Sequence, residues 1–330
     1  MINSKTFQES AEQSIKNQQY EHYEYWVKNF ALNLENIWFE PSAGELTPVH
    51  DAKKIDSSSI VIGRGPSIKK HEHLKLLAES DYQGTIVCCD GKLIDILKAG
   101  ITPDRFPKFF VVTIDPYHTI KKFYDDPIVN EYGSSIKGIF TTISNPEVVS
   151  KARDSGIKIH WVHSLFDYDE GKKSFNQISA LMVRAKNHPK GLPAIQTGGN
   201  VGTSSWFVSW KILKCNTVAL IGINHGWEED DSMDLILSHT LSNNEITGKS
   251  FDVDTNSDEF KKLFPKVYNP NLDSYCILDP IFQYYRNALI EFIERSPTWL
   301  TTINATEGGS IFGKRIKTTK LKDFLINFKY

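Results

Sequence analysis

The chain has 330 residues, 40% of them hydrophobic and 24% charged, with a formal net charge of −2, which is enough length for a large buried core and too little charge to recruit nucleic acid or an anionic membrane. No apolar stretch reaches the length of a membrane span, and the first residues lack the apolar core of a signal peptide. Cys88, Cys89, Cys215 and Cys276 show no metal-ligand spacing, so the expectation is a cytoplasmic protein with reduced cysteines and no metal site of its own.

Residues 1 to about 40 carry Tyr20, Tyr23, Trp26, Val27, Phe30, Leu32 and Leu34 at roughly helical spacing without Gly or Pro, which predicts helix. Residues 40–48 read as a loop. From residue 59 the pattern becomes strand, turn, helix, repeated. The apolar run Ile60-Val61-Ile62 ends in Gly63-Arg64-Gly65-Pro66-Ser67, and Leu74, Leu76 and Leu77 follow on an amphipathic segment. Residues 84–89 form a second strand ending at Asp90-Gly91, and residues 92–99 a short helix. A third strand over 109–114 ends at Asp115-Pro116; residues 137–142 and 158–162 are the fourth and fifth, with a helix over 146–154 between them. After a polar, mobile excursion at 167–190, Gly198-Gly199-Asn200-Val201-Gly202-Thr203 leads into a helix with Trp206, Val208 and Trp210. A sixth strand over 217–221 ends at Gly222-Ile223-Asn224-His225-Gly226, and residues 228–275 are polar and irregular, long enough for a lid. An amphipathic helix over 282–293 precedes a last strand, 300–303, that ends in Asn304-Ala305-Thr306-Glu307-Gly308-Gly309.

Strands alternating with helices predict an α/β, Rossmann-like, doubly wound and mostly parallel sheet, with an N-terminal helical cap and a C-terminal loop and helix excursion. The expected organisation is a helical extension over 1–55, a nucleotide-binding transferase domain over 56–313 with 228–275 as lid or insertion, and a tail helix over 314–330. Ligands of such sheets bind outside the carboxyl ends of the strands, and here those ends are repeatedly polar or glycine-rich.

Gly63, Gly65, Pro66 and Ser67 join a strand to a helix N-terminus, an arrangement that suits a phosphate; a plain tight connection is the alternative. Asp90, beside Gly91, either caps the next helix or accepts from a ribose hydroxyl or a base. Asp115 orients a sugar, ligates a hydrated metal, or forms a turn; no second carboxylate lies near it in sequence, so a two-Asp clamp is not evident. Gly198, Gly199, Asn200 and Thr203 suit a second phosphate or a leaving group. His225 and His239 are the candidate bases. His225 is favoured by its place at a strand end, with a rate rising through about pH 6 to 7 expected of a base near its ordinary pKa. Asn224 and Gly91 complete the rim toward the nucleotide, and Asn304 and Glu307 toward substrate. Ser/His/Asp order, His-Glu-x-x-His and Cys-x-x-Cys are all missing, which argues against hydrolase triads and zinc.

Gly63-Arg-Gly-Pro-Ser-Ile-Lys-Lys70, Asp90-Gly91, Ala99-Gly-Ile-Thr-Pro-Asp104 and Thr113-Ile-Asp115-Pro116 resemble the domain family of the archaeal 6-hydroxymethyl-dihydropterin pyrophosphokinase MptE and the flagellar motility accessory factors (Maf). Gly198-Gly-Asn-Val-Gly202, Leu220-Ile-Gly-Ile-Asn224 and Asn304-Ala-Thr-Glu-Gly-Gly309 resemble the Maf side, and the likeness covers roughly residues 59–313. The motif order is also similar to the sialyltransferases of glycosyltransferase family 42. That resemblance implies that Gly63, Gly65, Pro66, Ser67 and Asp90 face a cytidine nucleotide. It implies further that Gly198, Gly199, Asn200 and Thr203 hold its phosphate, and that a histidine near His225 or His239 is the base. Asp115-Pro116-Tyr117 departs from the Asp-x-Asp cluster of the pterin enzyme, and Asn224 stands where the family usually shows Asp. The implied activity is transfer of a sialic-like (nonulosonic) sugar from a nucleotide-linked, CMP-type donor. The alternatives are an ATP-dependent pterin pyrophosphokinase, which alone calls for Mg²⁺, and a non-catalytic nucleotide-binding module. The implied partners are a small-molecule nucleotide donor and a sugar, protein or pterin acceptor; self-association is left open.

Overall fold

The computed structural model describes residues 2–3, 9, 23–49, 57–165, 169–170, 173–184, 191–241, 251–252 and 254–328. The helix expected from residue 1 is seen as α1 (Tyr23–Phe39); much of its earlier half, like parts of the 167–190 and 228–275 excursions, lies outside the described residues.

Nine strands build the main sheet: β1 (Ser58–Ile62), β2 (Thr85–Cys89), β3 (Phe109–Thr113), β4 (Lys137–Thr141), β5 (Lys158–Leu165), β6 (Ala194–Gln196), β7 (Thr217–Ile221), β8 (Thr301–Asn304) and β9 (Ile316–Thr318). Their order is β9-β8-β7-β1-β2-β3-β4-β5-β6, and every pairing is parallel. The chain starts in the middle, walks outward to β6, then returns to β7 on the other side of β1. That reversal makes the gap between β1 and β7 the topological switch point. β9 extends the sheet past residue 313, so the expected tail supplies an edge strand before its helix.

Each central strand feeds two cores. Ile60, Ile62, Ile86, Cys88, Phe109 and Val111 point into one, while Val61, Val87, Phe110 and Val112 point into the other. Burial on both faces is why these strands read as unbroken apolar runs. All four cysteines are free and buried.

α1 is tied to the rim by side chains rather than by apolar contact alone. Buried Asn29 donates from Nδ2 to the carbonyls of Pro116 (2.9 Å) and Ile143 (3.0 Å). One turn on, Asn33 donates to Thr142 (3.2 Å) and Ser144 (2.7 Å). Two amides spaced four apart thus satisfy the carbonyls of the loops that follow β3 and β4.

The excursion expected to be irregular carries its own small structure. Trp227–Glu228, Lys266–Asn269 and Ser274–Ile277 form an antiparallel sheet with Ser274–Ile277 in the middle, and Ile236, Leu237 and Phe264 make a small core beneath it. The other helices named below are α2 (Ser67–Lys70), α3 (Val201–Phe207), α4 (Met233–Leu241), α5 (Pro280–Glu294) and α6 (Leu321–Asn327). Among the described residues no helix is long and apolar enough to cross a membrane.

Candidate functional site

At the switch point the two strand-end loops close on each other. Gly63 N–H donates to Ile221 O (2.9 Å), Gly65 N–H to Gly222 O (2.8 Å), and the Ser67 hydroxyl to Asn224 Oδ1 (2.9 Å). A Cβ on Gly65 would sit 2.0 Å from Asn224 Oδ1 and 2.7 Å from Gly222 O. Pro66 takes the N-cap position without a side-chain cap bond, and α2 is only four residues long. The space beside the Gly65 Cα is therefore occupied by the loop after β7. Here the glycines serve the approach of one backbone to another, and a side chain at residue 65 would disturb the fold itself. Among the described residues, the buried Asn224 Nδ2 has no hydrogen-bond partner.

One step along the sheet the rim is charged. Asp90 is buried; its Oδ1 accepts from Gly91 N–H (2.6 Å), and among the described residues its Oδ2 has no hydrogen-bond partner. Burial pushes the Asp90 carboxyl well above its ordinary value, and the neighbouring Asp115 carboxylate pushes it further. Asp115, partly exposed, is likewise raised by desolvation and held back by Arg64. Arg64 lies over the Phe123 ring, 4.9 Å from its centroid, and covers Gly91. The second carboxylate missing from the neighbourhood of Asp115 in sequence is thus supplied by the adjacent strand: β2 and β3 pair Cys89 with Val112, which brings the residues just beyond them together.

This pair gives a pH signature. The folded-state pKa of Asp90 is raised, so between the ordinary carboxylate range and that raised value the native state binds more protons than the unfolded chain. Stability falls as pH rises through that window, and the full cost is present above it. Asp90→Asn keeps the Oδ1 acceptor and removes the charge. It is expected to be more stable than wild type by on the order of 1–3 kcal/mol at pH 8 and to lose that advantage near pH 4. Urea titrations at both values check this; an equal difference at both would contradict it.

The histidines stand across from the carboxylates. His225, at φ +40°, is buried with its ring stacked on Phe282 (centroids 6.1 Å) and beside Tyr285 (5.8 Å). Burial with no compensating charge lowers its pKa to about 3. A rate limb near pH 6 to 7 is therefore not expected from His225.

His239, on α4, has a different setting. Its Nδ1 lies 2.5 Å from Oδ2 of Asp279, a carboxylate with no exposed surface. The same Oδ2 accepts from Trp227 Nε1 (2.7 Å), and Oδ1 accepts from Phe282 N–H (2.7 Å) as the N-cap of α5. The imidazole packs on Phe282 (4.6 Å) and Trp227 (5.3 Å). Tyr285 joins the two sides: its hydroxyl is raised by burial and by the fields of Asp115 and Asp279.

The second glycine loop touches the same tyrosines. A Cβ on Gly199 (φ +81°) would meet the Tyr285 ring at 2.6 Å and the Tyr284 ring at 2.9 Å. Gly198 packs against Thr203 and Phe292. Asn200 is spent on capping α3: Oδ1 accepts from Thr203 N–H (2.9 Å), and Nδ2 donates to Thr203 Oγ1 (3.0 Å) and Gly198 O (3.2 Å). Both ends of the Asn200 amide, expected to face a phosphate, are thus engaged by the cap in this structure.

Asn304 and Glu307 are engaged in the fold. Asn304 Nδ2 donates to Ile311 O (2.6 Å) and Oδ1 accepts from Thr306 N–H (2.9 Å). Glu307 Oε1 meets His73 Nε2 (3.2 Å) and accepts from Leu321 N–H (3.1 Å) at the start of α6. Arg64, Trp227, Asp279 and Tyr285 were not among the sequence candidates. Asp279 alone carried a signal: Asp-Pro before an amphipathic helix is an N-cap followed by proline at N1.

The model of the family described as 6-hydroxymethylpterin diphosphokinase MptE-like matches residues 28–230, more than half of the chain. The chain belongs to the MptE-like family. The matched span holds Arg64, Asp90, Asp115, Asn200 and His225, and ends before His239 and Asp279. No curated protein matches the chain. The solved structure of a Maf glycosyltransferase from Magnetospirillum magneticum AMB-1 shares the fold at 15% identity and a TM-score of 0.52, over 88% of this chain and 39% of that one. This member of the MptE-like family therefore spans about two fifths of that relative.

Proposed function

We propose that this MptE-like protein is a transferase that moves a nonulosonic sugar from a CMP-type donor to an acceptor hydroxyl. The observation that carries the reading is His239, its Nδ1 held by a buried carboxylate. An imidazole so oriented suits removal of a hydroxyl proton. The fold shared with the Maf glycosyltransferase and the sequence likeness to sialyltransferases support it. In the step, Nε2 of His239 takes the acceptor proton as the acceptor oxygen bonds to the anomeric carbon. The bond from that carbon to the phosphate oxygen breaks, and its electron pair leaves with CMP. Arg64, exposed at the rim, offers a charge to the departing phosphate, and Asp90 and Asp115 offer acceptors to ribose or sugar hydroxyls.

A second reading, pyrophosphoryl transfer to a hydroxymethylpterin, is favoured by the same pair of carboxylates and by the name of the family. Among the described residues no cluster of three or more His, Cys, Asp or Glu forms a metal cage. Mg²⁺, however, is commonly bound by one or two carboxylates plus substrate phosphates, so Asp90 and Asp115 fit the ion and would hold it, where it would neutralise phosphate charge.

A thermal-shift panel separates the readings, because a ligand of the native state raises the melting temperature. CMP without metal is expected to raise it, by about 2–4 °C at saturating concentration for each 1 kcal/mol of binding linkage. A shift only with ATP and Mg²⁺ would replace the first reading by the second.

A further inference from the structure

We propose that Asp279 is a positioning residue for His239: it holds the imidazole in the Nδ1–H tautomer, which makes Nε2 the nitrogen that accepts a proton. The inference rests on the transferase reading for its catalytic meaning, but its structural content stands by itself.

The argument starts from the carboxylate. Asp279 is inaccessible to solvent, and a buried carboxylate must be supplied with donors. Three nitrogens reach it: Phe282 N–H on Oδ1, and Trp227 Nε1–H and His239 Nδ1 on Oδ2, at 2.7, 2.7 and 2.5 Å. Two of them are fixed donors, since a backbone amide and an indole cannot accept. An ionised carboxylate is itself acceptor-only, so His239 Nδ1 must carry a proton to bond to it. In the neutral ring the lone pair is then on Nε2.

Geometry leaves the ring little freedom to choose otherwise. It is packed between Phe282, which lies on the first turn of the helix that Asp279 caps, and Trp227, which Asp279 also holds. One carboxylate thus fixes the start of α5, one wall of the imidazole and the imidazole itself. A capping role alone accounts for Oδ1; it does not account for two ring nitrogens converging on Oδ2.

Asp279→Asn tests this sharply. The amide oxygen is needed by Phe282 N–H, so the NH₂ group takes the place of Oδ2 and donates to His239 Nδ1, driving the proton to Nε2. This is the tautomer inversion expected when an orienting Asp becomes Asn.

The experiment is long-range ¹H–¹⁵N NMR of the full chain at alkaline pH, with the His239 signals identified by their loss in His239→Asn. Wild type is expected to carry the proton on Nδ1, Trp227→Phe to keep it there, and Asp279→Asn to carry it on Nε2. An Nε2–H tautomer in wild type overturns the proposal whether or not any variant folds. An unchanged tautomer in a folded Asp279→Asn overturns it equally. With a CMP-activated nonulosonic sugar, Asp279→Asn is expected to lower kcat on the order of a hundredfold or more while KM moves little. If wild type releases no CMP, the transferase reading falls, while the tautomer still decides the role of Asp279.

Discussion

Replacing His239 with asparagine is expected to cut sugar transfer by about 10²- to 10⁴-fold, the range for loss of a positioned general base. The substitution is chosen so that an amide N–H remains near Asp279 Oδ2 and the helix cap and the Trp227 bond persist; what is lost is the nitrogen that takes the proton. His225→Asn is the control. His225 is buried, and its pKa is lowered to about 3, so it is neutral throughout the working range and has no titration to contribute there. CMP release by the purified variants, compared at saturating donor, checks the pair. Equal activity of His239→Asn and wild type would remove the imidazole from the mechanism.

The second large effect is on stability. Trp206→Ala is expected to lower the unfolding free energy by about 3–5 kcal/mol. Trp206 has no exposed surface and fills the core on one face of the sheet, edge-on to Phe207 (4.9 Å) and Trp210 (5.6 Å). Its indole N–H donates to Thr302 Oγ1 (3.0 Å), so truncation leaves both a cavity and a buried hydroxyl stripped of its donor. Trp206 also seats α3, whose N-terminal loop carries Gly199 against Tyr284 and Tyr285. Urea unfolding by circular dichroism gives the number, and a loss below about 1 kcal/mol would show that the core collapses around the gap.

Seven of the nine strands were legible because burial on both faces makes each a short apolar run closed by a polar or glycine turn. β6 and β9 were not. Ala194-Ile195-Gln196 and Ile316-Lys317-Thr318 are edge strands of three residues, with too few apolar positions to show a period. The small antiparallel sheet was hidden for a related reason: Tyr268 and Tyr275 are exposed and only Asn269 and Cys276 are buried, so hydropathy carries little pattern there.

The site was legible as a rim but not as a set of contacts. Strand ends announced Asp90, Asp115 and His225, yet the meeting of Asp90 with Asp115 follows from parallel pairing of strands, which spacing along the chain conceals. Glycine turns suggest ligand cradles in the sequence; the close approach of Gly222 and Asn224 that Gly63 and Gly65 permit across the switch point is invisible there. Asp279 looked like any helix cap because its second oxygen is used by residues 52 and 40 positions away.

The most direct test of the account is release of CMP from a CMP-activated nonulosonic sugar by wild-type protein, with an acceptor bearing a free hydroxyl, measured with and without EDTA. Glycosyl transfer through His239 predicts turnover that EDTA leaves unchanged. No CMP release, together with Mg²⁺-dependent formation of AMP from ATP and a hydroxymethylpterin, would contradict it.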